Sequence, residues 1–238
     1  MSELPQIASL SGGKDSTAML LMMLERGENV AEAVVFDTGW EFPEMYEHLG
    51  RLRELCVQVH GFDRLTVLRP SKPFEYWMYE RVKRKGDTST TGYGWARPNA
   101  RWCTKMKTDA MDRHIRESYP QGVVQCIGIA ADEPQRVRDK RYPLVEWGVT
   151  EADALAYCRA KGFDWGGLYE HRGRVSCWCC PLQGLRDLRA LYDHHPELWA
   201  RLLEMDSKSR NTFRRDYSAE QIDARFRNED AQMRLEEL

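Results

Sequence analysis

"SLSGGKDSTAML", Ser9 to Leu20, sets serines, two adjacent glycines, a lysine and an acid between an apolar run and a helix-like stretch. Gly12 and Gly13 lack a Cβ, so the backbone can bend tightly there and approach a ligand closely. A helix that starts straight after the turn points unpaired N–H groups and a partial positive charge outward, which suits a phosphate. Ser11 and Ser16 add hydroxyl donors and Lys14 adds a full charge. The spacing differs from the longer Gly-x-x-x-x-Gly-Lys-Ser/Thr loop, because the glycines are adjacent and Asp15 follows the lysine. Two glycines alone would fit a plain serine-capped strand-to-helix turn. The whole string in a strand–turn–helix setting favours an anion site.

Outward from the turn, strands and helices alternate. "QIASL" reads as a buried strand and "TAMLLMMLERG" as a helix stopped by Gly27. "AEAVVFDTGW" gives a strand through Phe36, and "PEMYEHLGRLRELCVQV" a helix with Pro43 in its first turn. "RLTVLRP" and "GVVQCIGIAADE" give two further strands, with "CTKMKTDAMDRHIRESY" as a helix between them. The alternation predicts an α/β parallel sheet, with the ligand beyond the carboxyl ends of its strands. Lys85 to Arg101 is polar and glycine-containing, and reads as an irregular mobile loop near that site. After Thr150 the pattern turns helical, interrupted by a cysteine-rich turn. No internal repeat is found.

Composition narrows the setting. The 238 residues are 42% hydrophobic, enough for a sizeable core. A formal net charge of −2 offers no global attraction to nucleic acid or to an anionic membrane, so either contact needs a local basic patch. The tail "KSRNTFRRDYS" is such a stretch, and a solvated helix face explains it equally. No apolar run approaches bilayer length and no secretory leader precedes the glycine turn, so a cytoplasmic address with no membrane partner is expected. There the seven cysteines are expected as thiols or metal ligands rather than disulfides.

Two charged blocks lie at predicted strand ends. Asp37, Thr38 and Gly39 follow a strand on the same edge as the glycine turn, where an acid could accept from a ribose or bind Mg²⁺. A bare strand-end turn is the simpler reading of those three alone. Asp132, Glu133, Arg136 and Arg138 belong to a dense mixed-charge segment, where an arginine could clamp a phosphate. A solvated loop is the alternative.

"SGGKDS" resembles the loop signature of the N-type ATP pyrophosphatases. "FDTGWEFPEMY", "CTKMKTDAM" and "GIAADEPQRVRDKR" follow in the order of the phosphoadenosine phosphosulfate reductase family. The resemblance spans about the first four-fifths of the chain by this block order. It implies a Rossmann-like adenine nucleotide alpha hydrolase (PP-loop) fold with a C-terminal helical, Cys-rich extension. A nucleotide-binding α/β domain would occupy 1–149, the part carrying the cysteines 150–205, and a charged helical tail 206–238. It implies ATP or an adenylylated nucleotide with Mg²⁺, held by Ser9, Ser11, Gly12, Gly13, Lys14, Asp15, Ser16, Asp37, Thr38, Gly39, Lys107, Gly128, Asp132, Glu133, Arg136 and Arg138. Lys14, Asp15 and Asp37 would be catalytic.

"RVSCWCCPLQG" carries Cys177, Cys179 and Cys180, the first and last in C-x-x-C spacing that lets two thiolates reach one metal. In the iron–sulfur members of the family a double-cysteine block matches Trp102–Cys103 and a later C-x-x-C matches Cys177 to Cys180. Trp102 replaces one cysteine, which leaves Cys103, Cys177 and Cys180 matched and Cys179 unmatched. The resemblance thus implies a [4Fe–4S] cluster, with Cys179 as fourth ligand or with one open iron. A zinc site closed by His171 is the rival. Cys56, Cys126 and Cys158 read as buried structural thiols. His194 and His195 read as polar positions near a helix end, and Trp147, Trp165, Trp178 and Trp199 as core.

In the family's reductases the nucleophilic cysteine lies in a C-terminal tail, whereas the last cysteine here is Cys180. Those enzymes also tend to carry a degenerate loop. The intact "SGGKDS" therefore favours an enzyme that adenylates an acceptor, releases pyrophosphate and takes part in sulfur transfer. The expected partners are an adenine nucleotide, a sulfur donor such as a cysteine desulfurase, and a nucleic-acid or small-molecule acceptor. A sulfonucleotide reductase, a sulfate adenylyltransferase subunit and a non-catalytic nucleotide sensor are the alternatives.

Overall fold

Gln6–Leu10 is apolar enough to be covered on both faces, as a central parallel strand must be, and it forms β1 of the computed structural model. The structure describes residues 4–84 and 87–236. In chain order the elements are β1, α1 (Lys14–Glu25), β2 (Val30–Phe36), α2 (Pro43–His60), β3 (Leu65–Leu68), β4 (Val82–Arg84) and β5 (Asp87–Thr91). They continue with α3 (Trp102–Ser118), β6 (Val124–Ile127), α4 (Pro143–Glu146), α5 (Glu151–Ala160), α6 (Leu168–His171), α7 (Leu185–His194), α8 (Pro196–Lys208) and α9 (Ala219–Glu236). The chain divides into two compact units that are discontinuous in sequence. One comprises Met1–Pro70, Lys107–Glu170 and Arg174–Ser176, the other Ser71–Met106, His171–Gly173 and Cys177–Leu238.

The first unit holds an all-parallel sheet of order β3-β2-β1-β6. The α/β fold expected from the sequence is the fold observed. Every residue of β2 is buried, consistent with a strand covered on both faces. The chain runs outward from β1 to β3 on one side and returns to β6 on the other. The carboxyl ends of β1 and β6 are therefore the switch point where α/β sheets bind ligands. Pro43 opens α2, and Gly61 ends it in the left-handed conformation at φ 62°. Helix α5 starts with a reciprocal capping box between Thr150 and Asp153 and packs along α1.

In the second unit β4 and β5 pair antiparallel, and α7, α8 and α9 gather Leu188, Trp199, Phe213, Ile222 and Phe226 into a core. The loop expected over Lys85 to Arg101 is more ordered than its composition implies. Lys85 and Gly86 lie outside the described residues, but β5 crosses the segment. Trp95 beyond it is buried, its amide donating to Asn211 Oδ1 at 2.8 Å and its indole to Asp206 at 2.8 Å. One aromatic anchor among polar residues was enough to pin it. Pro196 cannot continue the helix of α7, so the predicted helical stretch breaks at His195 and restarts as α8.

Candidate nucleotide site

The turn between β1 and α1 uses its two glycines for different reasons. Gly12 takes φ 80°, which side chains rarely adopt. Gly13 is extended, at φ −77° and ψ 171°, and a Cβ there would come 3.1 Å from the Tyr169 hydroxyl. The turn's two serine hydroxyls are engaged within the turn itself. Ser16 Oγ donates to Gly13 O (3.0 Å) and accepts from the Ser11 amide (3.2 Å), while Ser11 Oγ accepts from the Gly13 amide (3.3 Å). Trp165 fixes the bend from outside, its indole N–H donating to Gly12 O at 2.8 Å. The Lys14 amide donates to the Tyr169 hydroxyl at 2.9 Å. The next two amides, of Asp15 and Ser16, have no acceptor among the described residues, as expected in a helix's first turn.

Gly128, just after β6, touches this turn closely. A Cβ on it would fall 2.6 Å from Ser16 Cα and 2.7 Å from Ser16 N. Ser9, the fourth residue of β1, has its hydroxyl engaged by Gln125 at 2.9 Å.

The Lys14 ammonium is buried, its side chain 8% exposed, and it donates to Asp15 Oδ2 (3.1 Å) and Glu151 Oε2 (2.9 Å). Burial by itself would lower its pKa, but the hydrogen bond to Glu151 and the charge on Asp15 raise it, so it stays protonated. Asp15 is raised as well, by burial first, with the carboxylates of Glu151 and Glu133 adding to it against Lys14. Two carboxylates, Asp15 and Glu151, hold the one ammonium, while Glu133 adds its charge against Asp15 and is itself paired with Arg136. Asp15 Oδ1 is buried with no hydrogen-bond partner.

Asp132 and Arg136 complete this neighbourhood. Asp132 Oδ1 accepts from the Glu151 amide at 3.0 Å and so sets the start of α5. Arg136 pairs with Glu133 and feels the charges of Asp15 and Glu151. Arg138 turns away, its guanidinium donating to Gln135 O (2.9 Å) and Val137 O (2.6 Å). Beyond β2, Asp37 Oδ1 accepts from the Gly39 amide (2.8 Å) and the Tyr46 hydroxyl (2.9 Å), and Oδ2 from Arg69 (3.1 Å). Thr38 donates to Glu41 at 2.9 Å, and Lys107 donates to the same carboxylate at 3.4 Å. These residues end a strand on the edge that holds the glycine turn, and their polar groups are spent largely on one another.

Cys56, Cys126 and Cys158 are buried, and burial pushes their thiols up to about 11, 11 and 12. Cys103, Cys177, Cys179 and Cys180 all belong to the second unit. Cys177 to Cys180 form a tight turn closed by the Cys180 amide donating to Cys177 O at 3.1 Å. Gln183 braces it, its amide nitrogen donating to the carbonyls of Cys177 (3.4 Å), Trp178 (2.8 Å) and Cys180 (3.1 Å). Buried Arg172 holds Gln183 in turn and reaches Asp187 O at 2.7 Å. His171 stacks on His194 at 3.8 Å. Among the described residues no three His, Cys, Asp or Glu side chains are gathered closely enough to hold a metal ion. A cluster or zinc is therefore not carried by this geometry.

A family model described as "Phosphoadenosine phosphosulfate reductase domain" matches residues 5–183. The chain belongs to the phosphoadenosine phosphosulfate reductase family. It is thereby a member of the nucleotide-binding PP-loop class. It is also similar to the uncharacterized protein MJ0066 of Methanocaldococcus jannaschii, 25% identical over 211 residues. That match covers 82% of this chain but only 40% of the relative's length. No helix among the described residues is long and apolar enough to cross a membrane.

Within this member of the reductase family the sequence reading missed Glu151 and Tyr169, and it placed Trp165 in the core, where it is, without its bond to the turn; all three close on the turn from well over a hundred residues downstream. No local signal marks them. The one hint is Thr150, a good helix cap, which fixes where α5 begins and so where Glu151 stands. Gln183 and Arg172, which brace the cysteine turn, were likewise unremarked.

Proposed function

We propose that the chain is an ATP-using member of the family that transfers an adenylyl group to an acceptor and releases pyrophosphate, as the activating half of a sulfur transfer. The observation that carries this is Lys14, a buried ammonium at a helix start beside a glycine turn, at the switch point of a parallel sheet. In the reaction an acceptor oxygen attacks the α-phosphorus, the bond to the bridging oxygen of the β-phosphate breaks, and pyrophosphate leaves. The acceptor's proton passes to solvent. Lys14 and the amides of Asp15 and Ser16 offset the charge that builds on the departing group. The carboxylate excess and the unpartnered Asp15 Oδ1 suit one Mg²⁺, which takes few protein carboxylates and many phosphate and water oxygens. The terminal sulfur of a cysteine persulfide then displaces AMP from the activated acceptor, and a second thiol cleaves the S–S bond that remains, leaving an enzyme disulfide that an external dithiol reduces. The thiols Cys103, Cys177, Cys179 and Cys180 are the proposed sulfur-handling set, with a desulfurase-type donor upstream.

Lys14→Ala is expected to lower ATP–pyrophosphate exchange at least about 100-fold while the circular dichroism melt is retained. Exchange at the wild-type rate overturns the proposal, and tight ATP binding with no pyrophosphate from any acceptor assigns a sensing role instead. Iron and acid-labile sulfide in protein prepared without oxygen would give the four thiols a cluster. Stoichiometric zinc would replace it.

A further inference from the structure

A groove of about 790 Å³ in the second unit is lined, among the described residues, by five arginines, Arg97, Arg101, Arg214, Arg215 and Arg225, against a single acid, Asp216. The chain as a whole is net −2, so this is a concentration of charge against an opposite background. The arginines are not all committed within the fold. Arg97 is structural, donating to Phe213 O (3.1 Å) and Thr212 O (2.7 Å) and so fixing the strap that leads to Arg214. Arg225 pairs with Glu229 at 2.7 Å. Arg101 bonds one carbonyl, that of Pro98, and Arg214 and Arg215 have no carboxylate partner among the described residues. The Arg214 amide donates to Tyr217 O at 2.9 Å, and that turn displays Arg215 and Tyr217, the latter 58% exposed. The base of the groove is apolar, with Pro181 and Ile222 buried and Leu182 beside them.

We infer that this groove binds single-stranded nucleic acid. Guanidinium groups bind phosphates through paired N–H donors, and among the described residues no lysine lines the groove. An exposed tyrosine and an apolar floor give unstacked bases a face to lie on, which a duplex with its bases buried cannot use. An acidic peptide would have no use for that floor. The volume exceeds what one phosphate needs. The groove also borders the cysteine turn along the chain: Pro181 and Leu182 directly follow Cys180, and Arg101 precedes Cys103 by two residues. A strand seated there is the class of acceptor that the proposed sulfur transfer would act on. That last clause rests on the proposed function, whereas the binding does not.

Binding is therefore measured without ATP, by fluorescence anisotropy of a fluorescein-labelled oligothymidylate of about 20 nucleotides, longer than one such groove spans. Wild-type protein should bind and weaken steadily between about 50 and 200 mM salt. Arg214→Glu with Arg215→Glu should weaken binding at least about tenfold and reduce the salt slope by about 1.4, which is about 0.7 for each of two phosphates left unneutralised. Tyr217→Ala, which leaves the charge intact, should weaken it about fivefold or more because a base can no longer stack there. Matching thermal melts show that the variants fold, and pyrophosphate release is assayed separately. The inference fails if wild type does not bind, or if both variants bind as wild type does. It fails also if a duplex of the same length or polyglutamate binds equally tightly.

Discussion

The Lys14 amide is the residue-scale decision point of the nucleotide site. A phosphate seated on the turn needs that N–H, yet the Tyr169 hydroxyl accepts from it at 2.9 Å, with the Lys14 ammonium 5.8 Å from the centre of the same ring. Tyr169 is half-buried, and the loss of solvent together with the nearby Asp15 and Glu151 charges raises its pKa, so it stays a neutral phenol. A neutral acceptor gives a modest hydrogen bond, and an incoming phosphate oxygen gives a charge-assisted, stronger one. Tyr169→Phe removes the competitor and keeps the ring. We expect it to tighten ATP binding about two- to tenfold, the net worth of one hydrogen bond, read by titration calorimetry. Weaker binding would mean that the hydroxyl serves the nucleotide rather than standing in for it.

At the scale of elements, the site depends on how closely β6 can approach the start of α1. Gly128 is not in a strained conformation; its need is space. A Cβ would come within 2.7 Å of two backbone atoms of Ser16, neither of which can swing aside as a side-chain tip would. Gly128→Ala should cost about 1–3 kcal/mol of stability by urea denaturation and loosen ATP binding as the turn shifts. An unchanged denaturation midpoint would mean that the strand end yields freely. The same pairing marks what the sequence made legible. β1, β2 and β6 are short apolar runs and Pro43 opens a helix, all readable because strand and helix identity is encoded within a few neighbours. Gly12 was readable for the same reason. The roles of Gly13 and Gly128 were not, because they are set by Tyr169 and Ser16, which tertiary packing alone brings near. Glu151 was illegible too: its carboxylate meets Lys14 only once α5 docks on α1, and a docking angle leaves no trace in local pattern. The ordering of residues 92–101 belongs to this class, since Asn211 and Asp206 supply it from a distance.

For the molecule as a whole, two buried titrating groups of the first unit make stability fall with acid in separate windows. His48 on α2 is 3% exposed, stacked on Trp165 at 4.5 Å and bonded through Nε2 to Thr17 at 3.0 Å. Burial, helped by the Arg51 charge, lowers its pKa to about 4 from 6.5. Between those values the unfolded chain binds the proton more readily than the folded one, so stability rises with pH there. It is complete above about 6.5 and declines toward pH 4, by a total of about 3 kcal/mol. Glu32 on β2 acts lower. Burial would raise its pKa, but hydrogen bonds from Thr66, His114 and Tyr119 outweigh that and hold it below 4.5. Its contribution is present above 4.5 and is lost as pH falls through its lower folded value. Urea midpoints at pH 7, 5.5 and 4.5 should therefore drop for wild type, and His48→Gln, which cannot titrate but can still bond Thr17, should flatten that drop while starting from lower stability. Glu32→Gln should lower stability at pH 7 and leave less of it to be lost below pH 4.5. A wild-type midpoint constant from pH 7 to 4.5 would mean that His48 protonates without cost, and so that the wall it builds with Trp165 behind the glycine turn admits water.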